Sequence, residues 1–376
     1  MHVLIPVLHR PTKPTGVCRF AANLARCLSE SDKITQITLV VGIWQKEYFE
    51  NEFFLCHEKI KFITIDIKNN SLSRNLWFLF KLPKLVNKIL PDIVHLSFPL
   101  PFIRSKFPCP VIATIHDLYP YQLPKNFGYH QALFNQLFLQ QCVHQSDSLA
   151  CVSQTTLNSL IKFFPERILN RKKIAVLYNF VDFEEIEPQF PTGLQVTSDM
   201  QFILCVGQHR KNKNIDLLIK AYALLIHEYR NSQYIKLVIV GSPGPETDDL
   251  IQLIQKLGLE SSIHLLSSLK DNELCWLYQH CSVFSIPSSL EGFCIPLVEA
   301  LYFSCKVVCS NIPIFKEIGS SNCIYFDLEE TPIENLLKAI IQSLESEKPK
   351  QDSKNIYFTK ALTSSQVLQL YSEICK

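Results

Sequence analysis

The stretch SIPSSLEGFCIPLVEALYFSCKVVCS, residues 285–310, most constrains what this chain can fold into. An apolar run of β-type residues, 282–286, ends at Pro287 and two serines, and an apolar-periodic segment, 295–303, predicts a helix after the loop. Strand, loop and helix in this order are typical of parallel α/β sheets, in which ligands bind beyond the carboxyl ends of the strands. We therefore expect a ligand site in the loop that precedes the helix.

Two carboxylates and a helix start lie in this stretch. Glu291 lies in the loop, and Glu299 lies eight residues further on, about two turns along the predicted helix. The first backbone N–H groups of a helix have no intrahelical acceptor and suit phosphate or sugar hydroxyls; here they belong to Gly292, Phe293, Cys294 and Ile295. Together these groups suit a hydroxyl-rich ligand that carries a diphosphate. The residues alone leave a second interpretation open, in which Glu291 caps a helix and Glu299 is a solvated helix position.

The string Ser-Ser-Leu-Glu-Gly-Phe, followed by Pro296, Glu299 and Ala300, resembles the E-x7-E signature of glycosyltransferase family 4. Members of that family are retaining enzymes of two-domain GT-B architecture. The resemblance implies that Glu291 holds the sugar of the donor and that Glu299 accepts hydrogen bonds from ribose hydroxyls. It extends over nearly the whole chain, and its most specific motifs lie between residues 203 and 320.

Two positions depart from the family pattern. Cys294 stands where the family usually has a glycine, and residues 302–304, Tyr-Phe-Ser, stand where a small-residue and glycine turn is common. A side chain at position 294 narrows the space beside the sugar, so we expect this departure to influence which donor fits.

Runs of β-type residues alternate with apolar-periodic segments along the chain. The predicted strands span 3–7, 37–42, 60–65, 93–96, 110–115 and 148–152 in one series, and 202–206, 236–240, 262–266, 282–286, 306–309 and 323–326 in a second. Predicted helices in the first series span about 16–29, 72–90, 130–145 and 153–164. This alternation predicts an α/β fold with two doubly wound parallel sheets.

A polar string with two prolines and a glycine, residues 178–200, separates the two series and predicts an interdomain linker. We expect an N-terminal, acceptor-side domain over 1–185 and a C-terminal, nucleotide-sugar-binding domain over 186–354. The resemblance implies that these Rossmann-like domains face each other across a cleft, as in GT-B proteins. It also implies that the last segment, 355–376, contains a helix over about 355–374 that crosses back to the first domain.

Length and composition agree with two globular domains. A chain of 376 residues is longer than the range over which a single hydrophobic core usually grows. Its composition, 47% hydrophobic and 19% charged residues, is typical of globular proteins and not of disordered ones. The opening apolar run, HVLIPVL, favours a first strand over a signal sequence, and no apolar run approaches the roughly 20 residues that span a bilayer. We expect a cytoplasmic protein that is not integral to a membrane.

The fourteen cysteines include no CxxC pair, and most lie in apolar runs, as Cys151, Cys205 and Cys281 do. Cysteines in such positions are usually small buried hydrophobic residues. Cys305 and Cys309 are four residues apart but have no histidine beside them, so we expect no zinc site and reduced thiols.

The net charge of +2 conceals an asymmetry between the halves of the chain. Residues 1–185 contain 21 Lys and Arg against 14 Asp and Glu, whereas the remainder contains 16 against 21. A basic first half suits peripheral contact with an anionic membrane or a phosphorylated acceptor; charges scattered over a solvated surface explain it equally well. The basic, aromatic segment 74–90 also suggests a membrane-surface helix, but Pro83 and the strand that follows favour a packed helix. No dense basic stripe indicates nucleic-acid binding.

Two candidate site residues lie in the N-terminal half. Gly16 precedes a predicted helix, where a glycine lets the backbone approach a ligand. The resemblance implies that this is the family's glycine loop near the acceptor and the transferred sugar. His116 ends a predicted strand, and the resemblance implies that it is a substrate-positioning residue beside the donor sugar.

The second series opens with a strand, Gly207 and a basic loop that contains Arg210, Lys211 and Lys213. Cations in a loop at a strand's carboxyl end suit a pyrophosphate, although a solvated basic loop is the alternative. Lys213 matches a family lysine, and Arg210 is the expected second cation. By resemblance, the backbone at Leu266 lies beside the nucleotide base. No GxGxxG follows any strand, which argues against a dinucleotide cofactor.

The family resemblance implies a retaining glycosyltransferase that moves a hexose from a nucleotide-diphosphate sugar to a saccharide or lipid-linked saccharide, with polysaccharide biosynthesis as the setting associated with such proteins. The sequence contains no DxD triplet, so we expect catalysis without a metal ion and without a cofactor other than the donor substrate. Two alternatives remain from the sequence: a GT-B epimerase or phosphorylase, and a sugar-nucleotide-binding protein without transferase activity.

Overall fold

A computed structural model of the chain describes residues 1–53, 55–126, 129–194, 200–229, 234–267, 269–348 and 358–375, with no side chains described at 129–131. The chain forms two compact units, Met1–Phe180 with Phe358–Lys376, and Val181–Tyr357. Parts of two predicted segments, 195–199 of the linker and 355–357 of the last helix, lie outside the described residues, as do residues 127–128.

The first unit is built on one parallel sheet. In its described part the sheet has seven strands in the order β3-β2-β1-β4-β5-β6-β7. Most strands are apolar along their full length, as expected of a parallel sheet that is covered on both faces. The strands are β1 (His2–Pro6), β2 (Gln36–Gly42), β3 (Ile60–Ile65), β4 (Ile93–Leu96), β5 (Val111–Ile115), β6 (Ser148–Cys151) and β7 (Lys173–Val176).

Helices connect these strands. The helices of the first unit are α1 (Gly16–Ser29), α2 (Lys46–Asn51), α3 (Ser71–Phe80), α4 (Leu82–Ile89), α5 (Tyr119–Gln122), α6 (Tyr129–Gln145), α7 (Gln154–Phe163) and α8 (Glu166–Leu169). The core on one face of the sheet combines side chains of α3, α4, α6 and α7 with those of the strands. Side-chain caps mark several starts: Asn70 accepts the N–H of Ser73 at 2.8 Å, and Ser153 accepts that of Thr156 at 3.0 Å.

The second unit repeats the arrangement with a parallel sheet in the order β10-β9-β8-β11-β12-β13 within the described residues. Its strands are β8 (Gln201–Val206), β9 (Ile235–Val240), β10 (Ile263–Leu266), β11 (Val283–Ile286), β12 (Val307–Ser310) and β13 (Cys323–Phe326). Its helices are α9 (Ile215–Glu228), α10 (Thr247–Lys256), α11 (Asp271–His280), α12 (Ile295–Tyr302), α13 (Pro313–Gly319) and α14 (Pro332–Glu345). The predicted pair of doubly wound parallel sheets is confirmed.

One local prediction for the first unit was wrong, and one strand was missed. The helix predicted over 72–90 is two helices, α3 and α4, because Pro83 has no backbone N–H to continue the hydrogen-bond ladder and lies in the first turn of α4. The sequence analysis also missed β7, a four-residue edge strand whose residues are exposed or half-buried and which begins with a lysine. Short charged strands of this kind are typical sheet edges and have little periodic signal.

The last helix, α15 (Lys360–Ile374), belongs to the first unit, where it packs against α1 and β7. Its Tyr371 is fully buried, and the hydroxyl lies 2.7 Å from Nδ1 of His95 in β4. Nε2 of the same histidine lies 2.9 Å from Oγ1 of Thr114 in β5. A buried polar chain therefore joins the end of the sequence to the middle of the sheet.

Strand order also fixes where each sheet can bind a ligand. The sheet of the first unit grows outward in both directions from the β1–β4 pair, and that of the second from the β8–β11 pair. At such switch points the loops after the two adjacent strands diverge and leave a crevice at the carboxyl edge. The expected ligand sites of the two units therefore lie after β1 and β4, and after β8 and β11.

Helix α12 is bounded by two residues with left-handed backbone conformation. Cys294, which precedes the helix, has φ 67° and ψ 74°, and Ser304, which follows it, has φ 52°. The N–H of Cys305 donates to the carbonyl of Ala300 at 2.9 Å and that of Ser304 to Leu301 at 3.0 Å, which is a Schellman motif. Positions 294 and 304, where this chain departs from the family pattern, therefore both have a left-handed backbone conformation, which glycine adopts without steric cost.

We expect Ser304→Gly to raise the free energy of unfolding by about 0.5–1 kcal/mol, because glycine removes the left-handed strain and loses part of the gain to unfolded-state entropy. Ser304→Ala is the matched control, since alanine keeps the steric conflict and is expected to give no gain. Equilibrium urea unfolding of the three proteins measures the difference. Equal stability of the glycine and alanine variants would contradict the backbone explanation.

Candidate functional site

Two loops that are far apart in sequence meet at the switch point of the second unit. The loop after β8 and the loop after β11 are joined by hydrogen bonds that involve backbone groups, among them three of 3.0 Å or shorter. Asn212 Nδ2 donates to the carbonyl of Leu290 at 3.0 Å, the N–H of Ser289 donates to the carbonyl of Asn212 at 2.8 Å, and Asn214 Nδ2 donates to the carbonyl of Pro287 at 2.9 Å. These bonds fix the loops relative to each other before any ligand binds.

A further contact between the loops joins two predicted site residues. Lys213 Nζ lies 2.5 Å from Glu291 Oε1, and the side chains are 18% and 10% exposed. A Cβ on Gly207 would lie 3.5 Å from Cδ of Lys213, so the lysine stem passes over that glycine. Burial lowers the pKa of Lys213, but the causes that raise it, of which the negative charge of Glu291 is the largest, together outweigh burial, and the net shift is upward. The lysine is therefore held as a cation.

The predicted N–H groups lie directly beside this ion pair. Gly292 and Phe293 lead into α12, Cys294 is its N-terminal flanking residue, and Ile295 is its first residue. The thiol of Cys294 is buried, and its pKa is raised well above the usual value, first by burial and then by the charge of Glu291. The neutral thiol occupies space at this helix start that a glycine would leave empty.

Glu299 lies inside the unit and not on a solvated helix face, so the alternative interpretation of this residue was wrong. It is 3% exposed, and its Oε2 accepts the hydroxyl of Tyr278 at 2.7 Å. Burial and the carboxylate of Glu299 raise the pKa of Tyr278 well above its usual value, so the phenol remains a donor. The sequence analysis missed Tyr278, because no local sequence pattern distinguishes this tyrosine of α11 from one that only packs in the core.

The second expected cation, Arg210, is placed differently from Lys213. It is exposed, and its Nε donates to Gln208 Oε1 at 2.7 Å. Lys211, also exposed, pairs with Glu246 at 3.9 Å. Of the three predicted loop cations, Lys213 contacts Glu291, whereas Arg210 contacts Gln208 in the same loop and Lys211 contacts Glu246 in the loop after β9.

Leu266 ends β10, two strands away from β8 in the sheet. Its carbonyl accepts the N–H of Gly241 at 2.9 Å. A Cβ on Gly241 would lie 1.9 Å from the carbonyl oxygen of Gly207, so only glycine fits between the loops after β8 and β9. This close approach connects the backbone at Leu266 to the loop that carries Lys213.

Several polar atoms at this edge of the sheet are buried without a hydrogen-bond partner among the described residues. They include Oδ1 of Asn212, Nε2 of His209 and Oγ of Ser288. Buried polar atoms are nearly always paired, so unpaired ones beside a loop junction are typical of a site that a ligand or water completes. Asn212 and His209 were not among the predicted site residues, because no local sequence pattern distinguishes a buried polar residue in a basic loop from an exposed one.

In the first unit, the predicted residue His116 contacts the loop after β4, one of the two strands at the switch point. His116 follows β5, and its Nε2 lies 2.7 Å from the carbonyl oxygen of Ser97, the residue after β4. A carbonyl only accepts, so Nε2 carries the proton and Nδ1 is left as the acceptor of the neutral ring. Burial lowers the pKa of His116, partly offset by that hydrogen bond and by Asp117. The ring is therefore neutral near pH 7.

Gly16 is the exposed first residue of α1, and its position agrees with an open helix start. One turn further along the helix, the Phe20 ring packs edge-on against His116 with centroids 5.1 Å apart. The helix that begins at Gly16 and the strand end at His116 therefore form one local arrangement within the first unit.

Among the residues that the structure describes, no group of three or more His, Cys, Asp or Glu side chains is arranged to hold a metal ion. No helix there combines the length and apolar character needed to cross a bilayer.

Two family models match the chain, one for each half. Residues 14–185 match the model described as Glycosyltransferase Family 4, and residues 189–359 match that of Glycosyl transferases group 1. Between them, the matched ranges include all twelve predicted site residues.

Curated relatives and solved structures show the same similarity. The chain is 24% identical over 323 residues to the O-antigen chain mannosyltransferase RfbU of Salmonella typhimurium, covering 84% of each chain. It is 34% identical over 180 residues to N-acetylgalactosamine-N,N'-diacetylbacillosaminyl-diphospho-undecaprenol 4-alpha-N-acetylgalactosaminyltransferase of Campylobacter jejuni, covering 48% of this chain and 46% of that one. The crystal structure of WaaG, a glycosyltransferase involved in lipopolysaccharide biosynthesis, superposes with a TM-score of 0.70 at 15% identity and covers 99% of both chains. At that identity the superposition shows a shared fold.

Proposed function

Because this chain belongs to glycosyltransferase family 4 and is a glycosyltransferase, we propose that it transfers a hexose from a nucleotide-diphosphate sugar to a saccharide or lipid-linked saccharide. We further propose that it does so with retention of anomeric configuration and without a metal ion on the diphosphate. The observation that carries the proposal is the Lys213–Glu291 pair at the switch point of the second sheet.

The ion pair supplies the two functions that donor cleavage needs. As the bond between sugar and diphosphate breaks, negative charge develops on the departing phosphate, and a fixed cation lowers the energy of that state. Lys213 is that cation, and the stem packing over Gly207 and the contact with Glu291 hold it in place. Glu291, at the opposite end of the pair, retains acceptor positions for hydroxyls of the donor sugar.

The start of α12 lies next to the same pair and contributes backbone N–H donors. Ile295 is in the first turn, where an N–H has no intrahelical acceptor, so a phosphate oxygen bound there adds to the charge that Lys213 neutralises. Glu299 is buried, and its Oε2 accepts the hydroxyl of Tyr278; in this proposal the same carboxylate also accepts hydrogen bonds from ribose hydroxyls. Neutralisation by a lysine and by backbone dipoles is the basis for proposing metal independence.

Retention follows in this proposal from attack on the same face of the sugar that the diphosphate leaves. The departing phosphate oxygen then accepts the proton of the acceptor hydroxyl, so the reaction needs no protein nucleophile. His116, neutral and with Nδ1 as an acceptor, is a positioning residue for a sugar hydroxyl in this scheme. The Salmonella and Campylobacter relatives are named for a mannosyl transfer and for transfer to an undecaprenol-linked saccharide, which supports a hexose donor and an acceptor of that class.

The test is donor turnover by the purified full chain in EDTA. A panel of UDP-, GDP- and ADP-hexoses, including mannose and N-acetylgalactosamine donors, is incubated with a lipid extract as the acceptor source, and release of nucleoside diphosphate is followed. We expect release from one donor that Glu291→Ala abolishes, with the anomeric proton of the product reporting retention. Turnover that requires added Mg²⁺ or Mn²⁺, or an inverted product, would overturn those parts of the proposal.

A further inference from the structure

The exposed face of α3 is apolar along its whole length. Leu72, Leu76 and Phe80 are 71%, 46% and 52% exposed, and a spacing of four residues places them on one side of the helix. The opposite side is buried, with Trp77 at 8% and Phe78 at 1%. The helix therefore packs on the sheet, as the sequence analysis favoured, and presents a second apolar stripe outward. We call Leu72, Leu76 and Phe80 the α3 stripe.

Cations lie around the C-terminal end of the α3 stripe, at Phe80. Nζ of Lys106 lies over the ring of Phe80, 5.3 Å from its centroid, and the carbonyl of Lys106 accepts Nδ2 of Asn87 in α4 at 3.0 Å. Lys81, Lys84 and Lys88 are all exposed along α4. The loop that carries Lys106 therefore brings a further cation to the junction of the two helices.

The local charge is strongly one-sided. Residues 68–106 contain seven Lys and Arg and a single acidic residue, Asp92, so this segment carries most of the positive excess of the first half of the chain. Asp92 accepts the N–H of His2 at 2.6 Å, at the start of β4. By contrast, α6 also exposes apolar side chains, such as Phe134 at 58%, but residues 129–145 contain no Lys or Arg. Of these two exposed apolar surfaces, the α3 stripe is the one that lies beside lysines.

We propose that the α3 stripe and the lysines of α4 form a docking surface for an anionic phospholipid bilayer. A helix that lies in a membrane interface buries an apolar face at the level of the acyl chains and keeps lysines at the headgroups, where long stems reach the phosphates. The α3 stripe supplies the first requirement and Lys81, Lys84, Lys88 and Lys106 supply the second. A neutral bilayer would account for the stripe but not for the excess of cations.

The surface involves residues outside both switch-point sites, so the proposal stands independently of the donor and of the reaction. Its consequence is that the first unit would be held at a membrane face, where lipid-linked substrates are concentrated. Binding is measured without substrate, and a failure to bind leaves the proposed reaction untouched.

The experiment is flotation of the full chain with vesicles of phosphatidylcholine alone or with about one-third phosphatidylglycerol. We expect partitioning onto the anionic vesicles that weakens as salt rises, because surface cations act through a screened potential. Lys84→Gln and Lys88→Gln are each expected to weaken it about fivefold. Leu76→Ser with Phe80→Ser is expected to weaken it at least about tenfold at any salt concentration.

Ile161→Ser is the matched control, since Ile161 on α7 is 52% exposed but lies outside the α3 stripe. We expect it to leave partitioning unchanged, and thermal unfolding confirms that the variants are folded. Equal binding to neutral and anionic vesicles, or full binding by the Leu76→Ser/Phe80→Ser variant, would overturn the proposal. So would a dimer of the full chain that these two substitutions dissociate, because a second copy would then be the occupant of the stripe.

Discussion

Lys213→Met is expected to lower kcat for donor turnover by about 10²–10³-fold, the typical loss when one preorganised charge-stabilising donor is removed. Methionine keeps the length of the stem over Gly207 and removes only the cation. Because the charge on the diphosphate develops as the bond breaks, the loss should appear in kcat more than in KM. Steady-state kinetics with the donor identified by the panel measure both parameters.

Lys211→Met is the matched control for this prediction. Lys211 lies two residues away in the same loop, but its side chain is 64% exposed and its partner is Glu246. We expect its turnover to remain within about twofold of the parent, since exposed ion pairs contribute little. Equal losses in the two variants would mean that the general charge of the loop matters and the Lys213–Glu291 geometry does not.

A stability measurement separates catalysis from folding at this site. Lys213→Met leaves Glu291 largely buried without its cation, and breaking such a pair costs about 3–5 kcal/mol when it is fully buried and less here, where both side chains retain some exposure. The double variant Lys213→Met/Glu291→Gln should recover most of that stability and still lack turnover. Recovery of turnover by the double variant would contradict a direct role for the lysine.

His95→Gln is expected to make the stability of the first unit less sensitive to acid. Burial, assisted by nearby His116, lowers the pKa of His95 to about 3 in the folded protein, against a usual value near 6.5. Below pH 6.5 the unfolded chain therefore binds a proton that the folded chain does not. Above pH 6.5 His95 is neutral in both states, and its titration does not change the free energy of unfolding. As the pH falls from 6.5 toward the folded pKa, the free energy of unfolding decreases by about 1.4 kcal/mol per pH unit.

The measurement is equilibrium urea unfolding at several pH values between 7 and 4.5. Glutamine cannot titrate, so the difference in slope between parent and variant reports His95 alone, whatever the variant loses by disturbing the contacts with Tyr371 and Thr114. His57→Gln, which replaces an exposed histidine in the same unit, serves as the control and should keep the slope of the parent. Identical slopes for His95→Gln and the parent would contradict this account.

The sequence predicted the secondary structure well wherever a local pattern was strong. All twelve predicted strands are present with ends within about one residue, because fully buried parallel strands are short apolar runs bounded by turn residues. The exceptions were elements with weak local signals: β7, a short charged edge strand, and the break between α3 and α4, where one proline interrupts a continuous apolar pattern.

The candidate site was predictable as a set of residues but not as an arrangement. Glu291 and Lys213 were each identified from their own loops, 78 residues apart, and neither loop contains information about the other. The burial of Glu299 against Tyr278 and the exposure of Arg210 also depend on neighbours from distant segments. For this reason the sequence alone was compatible with Glu299 as a ligand-binding residue and with Glu299 as a solvated helix position.

By itself the sequence determined the α/β class, the two series of strands and the loops that bear the candidate residues, because hydrophobic period and turn chemistry are local properties. The tertiary structure decided which loops are adjacent. Placing β8 beside β11 brings Lys213 to Glu291, and placing α15 against the first sheet brings Tyr371 to His95, 276 residues away. Strand order and helix packing depend on long-range contacts whose free energy no short segment contains, so the geometry of both sites became visible only in the folded chain.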